Sequence, residues 1–138
     1  MATTSAGNAR VRMAVNETAG GTGGLSAIGR RLDANVIAGA YGGTTPVANA
    51  DYIVTGVWDF TNATAQIYSG GTLLNSNTSF QTAGNTSDTD STAVQIMGLG
   101  AFFYGQMGEF VAYARRPSDA ERIRLERYLG RKWGVTVA

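Results

Sequence analysis

The sequence contains no cysteine and no histidine. The first absence excludes disulfide frameworks, thiolate metal sites and cysteine nucleophiles. The second removes the commonest general base, the commonest metal ligand and every Ser-His-Asp arrangement. Charge is also scarce: Asp, Glu, Lys and Arg make up 15% of the 138 residues. Eleven basic against ten acidic side chains leave a net charge of +1, not the basic excess expected of a nucleic-acid binder. No apolar run approaches the roughly 18 residues that cross a bilayer, so no membrane partner is expected. Residues 1–7 lack the charged and apolar regions of a secretory signal, and the expectation is a soluble protein made in the cytoplasm.

What is present favours strands and turns. Apolar types reach 43%, enough for a core, and 19 glycines accompany long Thr/Ser/Asn stretches. The length suits one domain spanning residues 1–138, with 1–7 as a possible docking arm. Residues 8–17 alternate, with Val11, Met13 and Val15 on one face and Arg10, Arg12 and Ala14 on the other, as in a half-buried strand. Glycines at 20–24 break the chain. The apolar runs 25–33 and 35–43 then read as a hairpin turning near Asp33-Ala34. The β-branched and aromatic run 51–60 is the strongest strand signal. It turns at Thr61-Asn62 into 63–71, and again at Ser69-Gly70-Gly71 into Thr72-Leu73-Leu74. Residues 75–91 read as a long polar loop whose one sizeable apolar side chain is Phe80. Strands are expected again over 92–100 and 102–114, with Gly105 and Gly108 marking a bulge or a close approach.

One helix is expected, over 118–132. Ser118-Asp119-Ala120-Glu121 has the capping-box spacing, and Gly134 stops the helix. Leu125, Tyr128, Leu129 and Trp133 form an apolar stripe, which places Tyr128 and Trp133 inward and the arginines outward. Seven basic and three acidic residues between Arg115 and Lys132 give this end a local +4, leaving −3 on the first 114 residues. Such polarity suits oriented docking in an assembly. The fold class expected is all-β, an antiparallel β-sandwich or jelly roll with one short C-terminal α-helix.

Residues that carry chemistry are few. Glycoside hydrolysis needs two carboxylates set across a bond. Glu109 stands without an acid two positions on, so it reads as a structural acid that pairs with an arginine or binds loop backbone. Asp88 and Asp90 are the candidates for a calcium loop, but the Gly and Glu of an EF-hand do not follow them. The glycines at 20–24 lack the Lys-Ser/Thr of a phosphate cradle. No cofactor is expected, and the chain reads as no enzyme. For a carbohydrate-binding module, stacking would fall to an exposed aromatic, and Phe80 and Tyr104 are the candidates.

The C-terminal third narrows the reading. Gly105-Gln-Met-Gly-Glu109-Phe-Val-Ala-Tyr113, the cap at Ser118–Glu121, and Tyr128-Leu-Gly-Arg-Lys-Trp133-Gly134 together resemble the closing signature of concanavalin A-like (laminin-G-like) jelly-roll domains. Val57-Trp58-Asp59 and Ala65–Gly71 are similar to the paired strands upstream, with Ser69-Gly70-Gly71 standing where the family often has Asn-Gly. The resemblance implies a jelly roll of the kind found on bacteriophage virions. The expected function is a non-enzymatic virion structural protein, a capsid decoration (cement) or tail-associated protein. Its partners would be the major capsid protein or another virion protein, and copies of itself, as a trimer for example. Arg115, Arg116, Arg122, Arg124, Arg127 and Arg131 are the expected interface anchors, because arginine pairs bidentately with carboxylates. The alternative is a lectin-like module for host or glycan attachment.

Overall fold

A computed structural model describes residues 2–5, 8–15, 24–30, 38–81, 93–95 and 105–138. The described strands are β1 (Ala2–Ser5), β2 (Asn8–Ala14), β3 (Ser26–Gly29), β4 (Ala38–Tyr41), β5 (Val54–Asp59), β6 (Thr64–Ser69), β7 (Thr72–Asn77) and β8 (Ala93–Gln95). They form two antiparallel sheets, one in the order β4-β3-β2-β1-β8 and the other β5-β6-β7. A single described helix, α1 (Asp119–Trp133), follows. The chain is therefore mostly strand with a C-terminal helix, as the composition leads one to expect. The β3–β4 pairing runs from Ser26 opposite Tyr41 to Gly29 opposite Ala38, which is the hairpin expected over 25–43. Its turn, including Asp33-Ala34, and the glycines at 20–23 lie outside the described residues.

The two sheets share one core. Leu25, Ala27 and Ala40 of the first meet Ala65 and Ile67 of β6 together with Phe80, while Val54, Trp58, Phe60 and Leu74 pack around them. Period-two alternation along β6 turns Ala65 and Ile67 into this core and Tyr68 toward the opposite face. The β6–β7 turn needs positive φ at both Gly70 (52°) and Gly71 (83°), which Ser69-Gly70-Gly71 supplies.

Three expectations for the strands and loops change here. First, the polar stretch does not begin at residue 75. β7 runs on to Asn77, with a bulge at Leu74 between the pairs Tyr68–Leu73 and Ile67–Asn75. The asparagines belong to the strand because their side chains stitch the sheets together. Asn75 Nδ2 donates to the Tyr41 carbonyl at 2.7 Å, and Asn77 Nδ2 donates to that of Gly39 at 3.0 Å. Second, Phe80 is not an exposed loop aromatic but a core residue, 1% exposed. Its amide donates to the Ala63 carbonyl at 2.9 Å, and its ring lies 5.5 Å from that of Phe60.

Third, the described part of the expected 102–114 strand, residues 105–114, pairs with none of the described strands. It is held by the end of the helix instead. Glu109 Oε2 accepts from Lys132 Nζ at 2.9 Å and from Trp133 Nε1 at 3.3 Å, and the Trp133 ring lies against Gly108.

The helix begins as its spacing predicts. Ser118 Oγ accepts from the Glu121 amide at 3.3 Å, and Glu121 Oε2 accepts from the Ser118 amide at 2.8 Å. It ends at Gly134, in the left-handed conformation at φ 70°. Its buried line, however, is Arg122, Glu126 and Gly130, one residue per turn. Tyr128 and Trp133, expected inward, are 48% and 47% exposed, whereas Arg122, expected outward, is 8% exposed. Arg122 faces the β5-β6-β7 sheet, its guanidinium 3.8 Å from the centroid of the Tyr68 ring. The final residues return to that sheet, where the Ala138 amide donates to the Gly70 carbonyl at 2.8 Å.

Candidate functional site

The six arginines of the C-terminal segment separate into two groups of three. Arg115 grips Glu121 with two nitrogens, at 2.6 and 3.0 Å. Such a fork geometry is the strong form of the ion pair. The Glu121 carboxyl is lowered to about 2, first by Arg115 and then by the Ser118 amide and hydroxyl. Arg116 reaches back to the end of β5 and donates to Asp59 Oδ2 at 2.9 Å. The same carboxylate accepts from the Asn62 amide at 3.0 Å and the Asn62 side chain at 2.8 Å. These contacts, the Asn62 side chain first, hold Asp59 below the usual carboxylate range. Arg122 lies under the helix, bonded to Glu126 Oε2 at 2.6 Å. Arg115 therefore ties the leader to the helix, while Arg116 and Arg122 fasten the two to the second sheet. They are spent inside the molecule, and Arg122 is not an interface anchor.

Arg124, Arg127 and Arg131 differ. They are exposed, and no carboxylate among the described residues pairs with them. Spacings of three and four residues put them on one helix face. With Ala120 and Ile123 they line an open groove of about 320 Å³. A second groove of about 150 Å³ lies between Arg127, Gly130 and Arg131 and the tail residues Val135 and Val137. The arrangement offers three unpaired guanidinium groups beside a small apolar floor, which is chemistry for carboxylates presented by a partner.

The remaining candidates fall as follows. Glu109 pairs with a lysine and a tryptophan, not with the arginine expected, and the Lys132 bond holds its carboxyl below the ordinary range. An exposed acid kept ionised in this way is poorly placed to donate a proton. Asp88, Asp90 and Tyr104 lie outside the described residues. Among the described residues no three His, Cys, Asp or Glu side chains are grouped to hold a metal ion. Helical periodicity missed the exposed aromatic pair Tyr128 and Trp133, whose rings lie 5.9 and 5.6 Å from Lys132 Nζ. The one signal for it was Gly108, whose missing side chain makes room for an aromatic ring.

No helix among the described residues is long and apolar enough to cross a membrane. No protein-family model, curated protein or solved structure matches the chain.

Proposed function

We propose that this chain is a jelly-roll module of the laminin-G-like type that works as a non-enzymatic structural protein of a bacteriophage virion. In this reading the two sheets are the layers of the sandwich and α1 seals the outer face of the second. The protein is made in the host cytoplasm, associates with copies of itself, and decorates the capsid or joins the tail by clamping neighbouring virion subunits. The observation that carries the reading is the row Arg124, Arg127 and Arg131, unpaired beside its groove, while the other three arginines are engaged internally. Carboxylates of a neighbour would complete these guanidinium groups, and Ile123 would supply apolar contact at the centre of the patch.

The test is the mass of the purified chain by size exclusion, alone and with the major capsid protein of its own phage. A complex is expected with the native chain. Reversing all three charges (R124E, R127E and R131E) should weaken it about 100-fold or more, because like charges then face each other. An unchanged complex would remove the arginine row from the interface. Hydrolysis of a sugar polymer that stops on Glu109→Gln would remove the non-enzymatic reading altogether.

A further inference from the structure

The segment that leads into α1 has the residues of a strand and none of a strand's partners. Phe110, Val111 and Tyr113 are types that favour sheets. From Gln106 to Tyr113 the chain makes no turn or bend. Its backbone over that stretch bonds to no backbone group among the described residues. Its side chains are open as well, with Met107, Val111 and Tyr113 exposed by 41%, 41% and 52%. The segment is nevertheless held, because Gly108 lies against the Trp133 ring and Glu109 is bonded to Lys132 and Trp133. An anchored chain of this kind loses little freedom when a second strand pairs with it.

The side chains say which strand that is. Alternate residues of a strand share a face, and Glu109, Val111, Tyr113 and Arg115 form one such row. The Arg115 guanidinium lies 6.0 Å from the Tyr113 ring, so the row continues across the bend at 114–115. In chain order it reads acid, β-branched, aromatic, base. An antiparallel copy reads it backwards. About a two-fold axis at Ala112, Glu109 then faces Arg115 and Val111 faces Tyr113, and each pairing occurs twice. Opposite charges and aromatic–β-branched contacts are the favourable cross-strand pairs. Glu109 Oε1 is not used by Lys132 or Trp133, and Arg115, 61% exposed, keeps its grip on Glu121 with Nε still unused. In-register parallel pairing would instead set Glu109 against Glu109 and Arg115 against Arg115.

We propose that residues 106–115 are a self-association strand, pairing antiparallel with the same segment of a second copy about a two-fold axis at Ala112. The inference rests on the self-association in the function proposed above and gives it a surface and a symmetry. The assembling unit is a dimer, because a two-fold contact uses the same strand of both copies and closes on itself. The row of Arg124, Arg127 and Arg131 takes no part in it and stays available to a different partner.

The experiment is sedimentation velocity of the full chain without other components. Concentrations up to about 200 μM are needed, since one strand pair is a small interface. A monomer–dimer equilibrium is expected. Val111→Lys and Tyr113→Glu should each weaken the dimer about tenfold or more, because the pair each one breaks occurs twice. Both positions are exposed, so helical circular dichroism should stay at its native value in each variant. The double variant, V111K with Y113E, sets Lys opposite Glu at both places and should recover the dimer. A register centred on Val111 would instead set Lys against Lys and show no recovery. The R124E, R127E and R131E variant should dimerise as the native chain does, so this strand and the capsid interface fail separately. A dimer indifferent to both single variants would overturn the strand while leaving self-association elsewhere. A native chain that stays monomeric or forms trimers would overturn the proposal, as would a folded double variant no tighter than the singles.

Discussion

Arg122 and Glu126 give the sharpest energetic prediction, because a charged pair occupies the place where an apolar stripe was expected. Their side chains are 8% and 2% exposed and meet at 2.6 Å. Moving two charges out of water costs several kcal/mol each, and their attraction about offsets this when geometry and remaining hydrogen bonds are good. Here the second condition is only half met. Arg122 Nε and Glu126 Oε1 are buried without a hydrogen-bond partner, and Arg122 Nε lies 3.9 Å from Asp119. An orphaned polar atom costs about 1–3 kcal/mol. The Tyr68 ring, 3.8 Å below the guanidinium, returns up to about 2 kcal/mol. The pair as a whole therefore contributes close to nothing, whereas either member alone is an uncompensated buried charge.

Glu126→Ala should accordingly cost about 3–5 kcal/mol, and Arg122→Ala about the same. The double replacement Arg122→Met with Glu126→Leu should cost less than either single change, because similar volumes of apolar side chain then fill the same space without a desolvation penalty. Urea denaturation of the four corners of the cycle measures this, provided the slope stays constant across variants. A double variant as unstable as the sum of its singles would refute the reasoning. Single variants within about 0.5 kcal/mol of native would refute it too, since exposed pairs behave that way.

Three further outcomes follow from other contacts. Phe80→Ala should destabilise by about 3–5 kcal/mol in the same urea assay, as a large core truncation does, and a change under about 1 kcal/mol would contradict its burial. On the acid side, Glu121, lowered to about 2, and Asp59, also lowered, contribute stability that is present above their ordinary carboxylate range. That stability is lost as pH falls through the folded values, so helical circular dichroism should hold to about pH 4 and fall toward pH 2, sooner in Arg115→Ala. On the alkaline side, burial raises the Tyr68 hydroxyl above the ordinary tyrosine value of 10.0, against the pull of Arg122. Its contribution is complete below that value and lost as pH rises through the folded one, and absorbance titration should show one tyrosine ionising late.

The parts of the fold legible in the sequence are those set by neighbours along the chain. The β-branched and aromatic run that becomes β5, the alternation along β6, the glycine turn at 70–71 and the Ser118–Glu121 cap are local, and they appear where the sequence puts them. Asn75 and Asn77 were illegible for the opposite reason: their amides satisfy carbonyls 34 and 38 residues away, so a polar composition typical of loops hides a strand. Phe80 was misread in the same way, because its partner Phe60 is brought to it by the β5–β6 turn and not by local pattern.

The helix shows why a stripe of apolar letters does not by itself determine a buried face. Periodicity scores each residue alone, so Leu125, Tyr128, Leu129 and Trp133 outweigh Arg122, Glu126 and Gly130. Burial scores residues with their partners. An arginine satisfied by Glu126 and laid over Tyr68 can approach the sheet, and Gly130 lets Val137 of the returning tail come close, where a Cβ would lie 2.8 Å from its methyl. The same accounting explains the arginines of the candidate site. Arg115 was readable as internal, since Glu121 is a local partner six residues on, but the bond of Arg116 to Asp59 spans 57 residues and leaves no sequence pattern. What distinguishes Arg124, Arg127 and Arg131 is the absence of such partners among the described residues, and only packing reveals that. A helix that turns its paired charges inward leaves its unpaired cations and its aromatic end to the outside, which is the combination a docking element requires.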